Sequence, residues 1–257
     1  MANALLRAAR ALTRRFGIDI VRRRDGQPRT LPADIDTPAA ATIRLVQPYT
    51  MTSAERLFAL IQAVRHVSAA AIPGDIVECG VWRGGSMMAA ARTLLESGDA
   101  TRDLYLYDTY EGMSPPGAAD VNLDGQAASA LLRARDKHDP ESAWCYATLE
   151  DVRTALYGTG YQASRMHFVE GKVEQTIPGT APERIAVLRL DTDWYESTRH
   201  EMEHLYPRLS PGGVLIIDDY GHWAGCRKAV DEYLASRGIR LLLNRIDYTG
   251  RIAVKPA

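Results

Sequence analysis

Acidic residues close several apolar runs in this chain, and chemistry can be read there first. DIVE ends on Glu78, DLYLYD on Asp108, IAVLRLD on Asp191, and GVLIID on Asp218 with Asp219 next. If each run is a strand of a parallel sheet, the carboxylates gather along the edge formed by the strands' carboxyl ends, where open α/β sheets bind ligands. Asp191 and the Asp218-Asp219 pair close strands that follow one another in sequence, and such strands are often neighbours. Three carboxylates brought together repel unless they are protonated or neutralised. A hard divalent cation relieves that repulsion, and an all-oxygen ligand set favours Mg2+, with Mn2+ or Ca2+ as alternatives. Alternatively, Asp193 and Asp219 cap helices and face solvent. That suits Asp193 better than Asp191 or Asp218, which close apolar strands.

Positioning those acids needs a strand-turn-helix framework, and Asp75–Ser86, DIVECGVWRGGS, supplies its centre. Ile76 and Val77 form a buried strand. Gly80, Gly84 and Gly85 let the backbone turn and approach a ligand closely. Ser86 is expected to cap the helix that continues through Met87–Leu95. A strand feeding a glycine turn and a helix N-terminus is a nucleotide-binding geometry. The glycine spacing is not the G-x-G-x-x-G dinucleotide fingerprint, which disfavours a nicotinamide-dependent oxidoreductase. Asp108, closing the next strand, is suited to accept two hydrogen bonds from a ribose diol, or else to cap a helix.

Taken in order, Ala2–Arg24 has a helical pattern with arginines on one side. Asp25–Pro38 reads as a linker, so a division into 1–40 and 41–257 is expected. Thr52 and Ser53 open a helix running to Val67. Strands are expected at Asp75–Glu78, Asp103–Asp108, Met166–Gly171, Ile185–Asp191 and Gly213–Ile217. Leu209–Gly213 is read as a helix-to-strand turn, and Arg240–Ile246 with Arg251–Val254 as a closing hairpin. The polar, alanine-rich stretch 117–144 reads as an excursion over the ligand face, in the manner of a lid. Alternating strands and helices imply an α/β fold, a mainly parallel sheet with helices on both faces.

Composition narrows the classes. The net charge is −1, so no global electrostatic argument favours nucleic acid. No apolar run is long enough to span a membrane, and no signal peptide is evident. Cys79, Cys145 and Cys226 have neither disulfide nor zinc spacing, which suits a reducing cytoplasm. The N-terminal helix makes a homo-oligomer plausible.

The segments ECGVWRGGS, LYDTYEGM, VLRLDTDWYEST and LSPGGVLIIDDYGHWAGCRKAVDEY together resemble the macrocin-type sugar O-methyltransferases, from about Tyr49 to the C-terminus. The resemblance implies a class I, Rossmann-like fold of seven strands with the last antiparallel. It implies S-adenosylmethionine as cofactor, with Glu78, Gly80 and Ser86 by its methionine part, Asp108 on its ribose, Gly171 alongside, and Tyr49 closing over it. It also implies a divalent cation, usually Mg2+, on Asp191, Asp218 and Asp219. Asp191 would be the base for the acceptor hydroxyl, which belongs to a glycoside or nucleotide-linked sugar. Thr192, Trp194 and Tyr195 are larger than their counterparts in some macrolide-type members, so the particular sugar is not carried over. A catechol-type methyltransferase is disfavoured by Asp218-Asp219 where Asp-Asn is common. A non-catalytic cofactor-binding module is disfavoured by the intact acid set. A plain loop role is the simpler expectation for His222, and packing for Trp82 and Tyr110.

Overall fold

The computed structural model describes residues 31–139 and 142–256. The expected helix over Ala2–Arg24 lies outside the described residues. Ile35 onward forms one compact unit. Its first helix, α1 (Thr37–Val46), starts inside the expected linker. Asp36 accepts a hydrogen bond from the Ala39 N–H at 3.0 Å. Pro38 stands in the first turn, where its missing N–H would be unpaired in any case. Asp-Thr-Pro is therefore a helix start here and not a linker end. In α2 (Ala54–Ala69), Ser53 caps as expected, accepting from the Arg56 N–H at 3.2 Å.

The remaining elements are β1 (Asp75–Cys79), α3 (Gly85–Glu96), β2 (Leu104–Asp108), α4 (Ala128–Ala134), α5 (Leu149–Tyr157), β3 (Met166–Glu170), α6 (Val173–Thr176), β4 (Ile185–Leu190), α7 (Tyr195–His204), β5 (Leu209–Ile217), α8 (Ala224–Ser236), β6 (Asn244–Arg245) and β7 (Arg251–Val254). The sheet order is β3-β2-β1-β4-β5-β7-β6. The strands β1 to β5 pair in parallel, and β7 runs antiparallel to β5 and β6. The seven-stranded sheet with its antiparallel last strand is thus present. The order reverses beside β1, between β2 and β4, which opens a crevice at the carboxyl ends of these strands.

Side-chain alternation along the strands decides which residues meet. Val77, Cys79, Leu188, Leu190, Leu215 and Ile217 enter one apolar cluster with Met202 of α7 and Val230 of α8. Glu78 and Arg189 pair directly across β1 and β4, and Arg189 is level with Ile216 of β5. With period-two alternation they share the opposite face, where Thr52, just ahead of α2, contacts Arg189. Leu209–Gly213 is not the free turn expected from Ser-Pro-Gly-Gly. Leu209 already pairs with Ile185, and the register then shifts before Val214 meets Val187. Gly213 permits that close pairing, because a Cβ there would come within 2.9 Å of the Ala186 carbonyl oxygen. Among the described residues no helix is long and apolar enough to cross a membrane.

Candidate functional site

A cavity of about 330 Å³ opens at the crevice. Gly80, Ser86, Asp108 and Gly171 line one part of it, and Asp191, Asp218 and Asp219 another, with Tyr49 also on the wall. Of the residues singled out from the sequence, Glu78 does not reach it. Glu78 lies beneath the floor, 1% exposed, with Oε1 accepting from Arg189 at 2.5 Å and Oε2 buried without a partner.

The glycine turn is built by close approach. Gly80 has φ +83°, and a Cβ on it would sit 1.9 Å from the Asp191 carbonyl oxygen. The turn after β1 therefore packs backbone to backbone against the end of β4. Gly85 does the same toward Tyr49, whose carbonyl oxygen would lie 2.7 Å from an added Cβ. The expected Ser86 cap is not formed. Gly84, left-handed at φ +86°, takes the cap position, and Ser86 falls inside the first turn of α3, facing the cavity. Asp108 ties the turn down: Oδ2 accepts from the Val81 and Trp82 N–H groups at 2.7 and 2.9 Å, and Oδ1 accepts from the Tyr110 N–H at 2.8 Å. It thus caps no helix. The Thr109 hydroxyl lies 3.5 Å from Oδ1 as a long fourth donor. Oδ2 is therefore saturated, and acceptor capacity toward the cavity remains on Oδ1 where that long contact gives way, since a carboxylate offers about four lone-pair sites. The Gly171 N–H in turn donates to the Asp108 carbonyl at 2.9 Å.

The acidic part has a composition the sequence did not suggest. Oxygens of Asp191, Asp193 and Asp219 lie within 4.8 Å of one another. Asp193 holds a left-handed backbone, φ +67°, with its carboxyl beside that of Asp219. Burial pushes Asp193 up to about 7 and pushes Asp219 well above the usual carboxylate range, with the charges of Asp191 and Asp218 adding to both. Asp219 Oδ2 is buried without a partner. An orphaned oxygen among three converging carboxyls is a donor set that fits a hard divalent cation. Asp218 points elsewhere. Its Oδ1 accepts from Arg189 Nη2 at 2.5 Å, and its Oδ2 from Arg56 Nη1.

Arg189 is the residue that sequence reading overlooked. It is 2% exposed. Its Nη1 donates to Glu78 and to Asp191, the latter at 2.6 Å, and its Nη2 to Asp218 and to Thr52, the latter at 3.1 Å. Arg56 adds a second cation and also donates to Asp247 at 3.0 Å. Two guanidinium groups therefore face Glu78, Asp191, Asp218 and Asp247. Burial raises Glu78 to about 8 and Asp218 to about 6, against the pull of the arginines. An arginine inside the apolar run IAVLRL was the available signal, because a charge mid-strand in a parallel sheet is rarely tolerated unpaired.

The excursion is not a lid. None of the described residues of 117–144 lines the cavity, although Gly112, Met113, Ser114 and Cys145 beside it do. Asp120, 1% exposed, staples it down by accepting from the Gly117 N–H at 2.6 Å and the Tyr195 N–H at 2.8 Å. His222, Trp223 and Tyr248 complete the wall, the His222 ring meeting Trp223 edge-on at 4.9 Å.

The model of the macrocin-O-methyltransferase (TylF) family matches residues 11–254. The 8-demethyl-8-(2,3-dimethoxy-alpha-L-rhamnosyl)-tetracenomycin-C 4'-O-methyltransferase of Streptomyces olivaceus is 39% identical over 228 residues, 88% of this chain and 81% of that protein. The mycinamicin III 3''-O-methyltransferase of Micromonospora griseorubida is 35% identical over 203 residues, 79% of this chain and 76% of that protein. The solved structure of the O-methyltransferase NovP is 33% identical with a TM-score of 0.69, covering 81% of this chain and 83% of that one. The sheet order and this likeness are those of the class I methyltransferase fold.

Proposed function

Because the chain belongs to the macrocin-O-methyltransferase family, and so is an O-methyltransferase, we propose that it moves a methyl group from S-adenosylmethionine to a hydroxyl of a sugar, carried on a natural product or its nucleotide-linked precursor. The carrying observation is one cavity lined by a glycine turn with Asp108 and by a carboxylate cluster. Relatives named for the methylation of sugar-bearing natural products support the acceptor class. The catalytic unit runs from Ile35 onward, and a cytoplasmic setting with self-association belongs to the same proposal.

The sulfonium methyl of the cofactor is already activated, so the protein's task is alignment and proton removal. Gly80 keeps the floor open for the methionine part, Ser86 faces it, and Asp108 and Gly171 lie toward the ribose. A bound Mg2+ or similar cation would lower the pKa of a coordinated hydroxyl. Asp191 and Asp219 would hold it. The third carboxylate is Asp193 in the arrangement described, or Asp218 once released from Arg56 and Arg189. Asp191 is the proton acceptor: as the acceptor oxygen takes the methyl, its proton passes to this carboxylate. Arg189 keeps Asp191 aimed by holding Oδ2.

The test is calorimetry followed by turnover. S-adenosylmethionine should bind and NAD should not. Methylation of a rhamnosyl glycoside panel should stop in EDTA and return with Mg2+. Asp191→Asn should fold normally and lose about 10²–10⁴-fold in kcat. Metal-independent turnover, or near-normal kcat in Asp191→Asn, would refute this mechanism.

A further inference from the structure

Glu201 is a buried acid with no place in the mechanism above. It lies on α7, 0% exposed, facing the underside of the segment that joins β4 to α7. Thr192 Oγ1 donates to Glu201 Oε1 at 2.9 Å, and Oε2 is buried without a partner. The nearby charges, Asp191 and Glu174, are acids as well, and no cation pairs with the group among its described contacts. A hydrophobic residue would serve packing at this position better than a carboxyl with an orphaned oxygen. What the carboxyl supplies is a grip on Thr192.

Thr192 lies between the two acids that must converge. The Asp191 N–H donates to the Cys79 carbonyl at 2.8 Å, and its own carbonyl is pressed against Gly80. The Trp194 N–H donates to the Thr192 carbonyl at 2.7 Å, closing a tight turn with Asp193 left-handed at its apex. Backbone contacts hold both ends of this turn, and the Thr192 side chain is held by Glu201 alone among its described contacts. We propose that Glu201 is a positioning residue that, through Thr192, fixes the 191–194 turn so that the carboxyls of Asp191 and Asp193 meet Asp219. The brace stands on the protein's own contacts. Its consequence for cation affinity rests on the cation site proposed above.

The experiment compares Glu201→Met, Glu201→Gln and Thr192→Val by hydrogen exchange, thermal melting and Mn2+ calorimetry on the full chain. Glu201→Met should melt no lower than wild type, since it removes a buried acid. Its amides over residues 191–194 should exchange about tenfold faster, the equivalent of one buried hydrogen bond lost. Mn2+ affinity should fall about tenfold, as when a group orienting a metal ligand is removed. Glu201→Gln keeps an acceptor for Thr192 and should restore both. Thr192→Val should reproduce the faster exchange, and combining it with Glu201→Met should add nothing further. Unchanged exchange in Glu201→Met or Thr192→Val overturns the brace. So does a Glu201→Gln as impaired as Glu201→Met, or a rise in exchange spread over the whole sheet. If Glu201→Met does not fold, Thr192→Val decides alone. Wild-type protein that binds no Mn2+ sinks the cation site while the exchange data still decide the brace.

Discussion

Replacing Arg189 with Met is the most demanding perturbation of the site. Methionine fills similar space without the charge, so packing is largely kept while the counter-ion is lost. Arg189 bonds Glu78, Asp191 and Asp218, and two of these are themselves buried at 1% and 3% exposed. Breaking a buried pair by removing one partner costs about 3–5 kcal/mol. At about 2–4 °C per kcal/mol for a domain of this size, Tm should fall about 6–20 °C near neutral pH. The deficit should itself depend on pH. In the wild type Glu78 is raised from 4.5 to about 8, so the folded state holds an extra proton between those values. Stability contributed by that group therefore declines as pH rises through this window. Without Arg189 the folded-state values of Glu78 and Asp218 rise further, the window widens upward, and ionising either group becomes more unfavourable. The loss in Tm should be smaller at pH 5.5 than at pH 8.5, and Glu78→Gln added to Arg189→Met should recover part of it. Differential scanning fluorimetry across that range reads all three effects. An Arg189→Met protein within 2 °C of wild type at pH 8.5, by the ~2–4 °C per kcal/mol scale, would refute the counter-ion reasoning.

Three further outcomes follow from other contacts. Asp108→Asn presents an NH2 where one oxygen now accepts backbone N–H bonds, so the turn loosens; S-adenosylmethionine affinity should fall by about tenfold or more, and unchanged calorimetric Kd would remove Asp108 from its role. Asp120→Ala leaves the Gly117 and Tyr195 N–H groups without their acceptor at about 1–3 kcal/mol each. Limited proteolysis within 117–144 should accelerate, and an unaltered cleavage pattern would show that the staple is dispensable. Asp193→Asn should weaken Mn2+ binding without lowering Tm. Asp218→Asn should lower Tm by removing a buried carboxylate that both Arg56 and Arg189 bond, and a reversal of these two phenotypes would put Asp218, not Asp193, on the cation.

The sheet was legible because its signals are local. Apolar runs ending in acids, the glycines at 80, 84 and 85, and the closing hairpin each announce themselves within a few residues. Ser86 and Thr37–Pro38 were misplaced for the same reason. Cap choice turns on one backbone angle at Gly84, and a proline reads as a breaker or a starter according to whether an Asp ahead of it bonds the next turn. The lid reading failed on a long-range contact, since Asp120 meets the Tyr195 N–H, 75 residues away in sequence. Asp193 looked like a helix cap because nothing local shows its left-handed backbone turning the carboxyl toward Asp219.

By itself, the sequence determined that Asp108, Asp191 and Asp218 would close apolar strands at their carboxyl ends, because strand period and strand ends are properties of short segments. Only the tertiary structure decided what each carboxyl does there. Strand register set Arg189 beside Glu78 and within reach of Asp218, drawing both into an ion cluster that also holds one oxygen of Asp191, while Asp193 and Asp219 converge with Asp191 on the cavity. In a buried site the partner of a charge is fixed by distances of a few ångströms between distant segments, and a linear chain does not carry those distances.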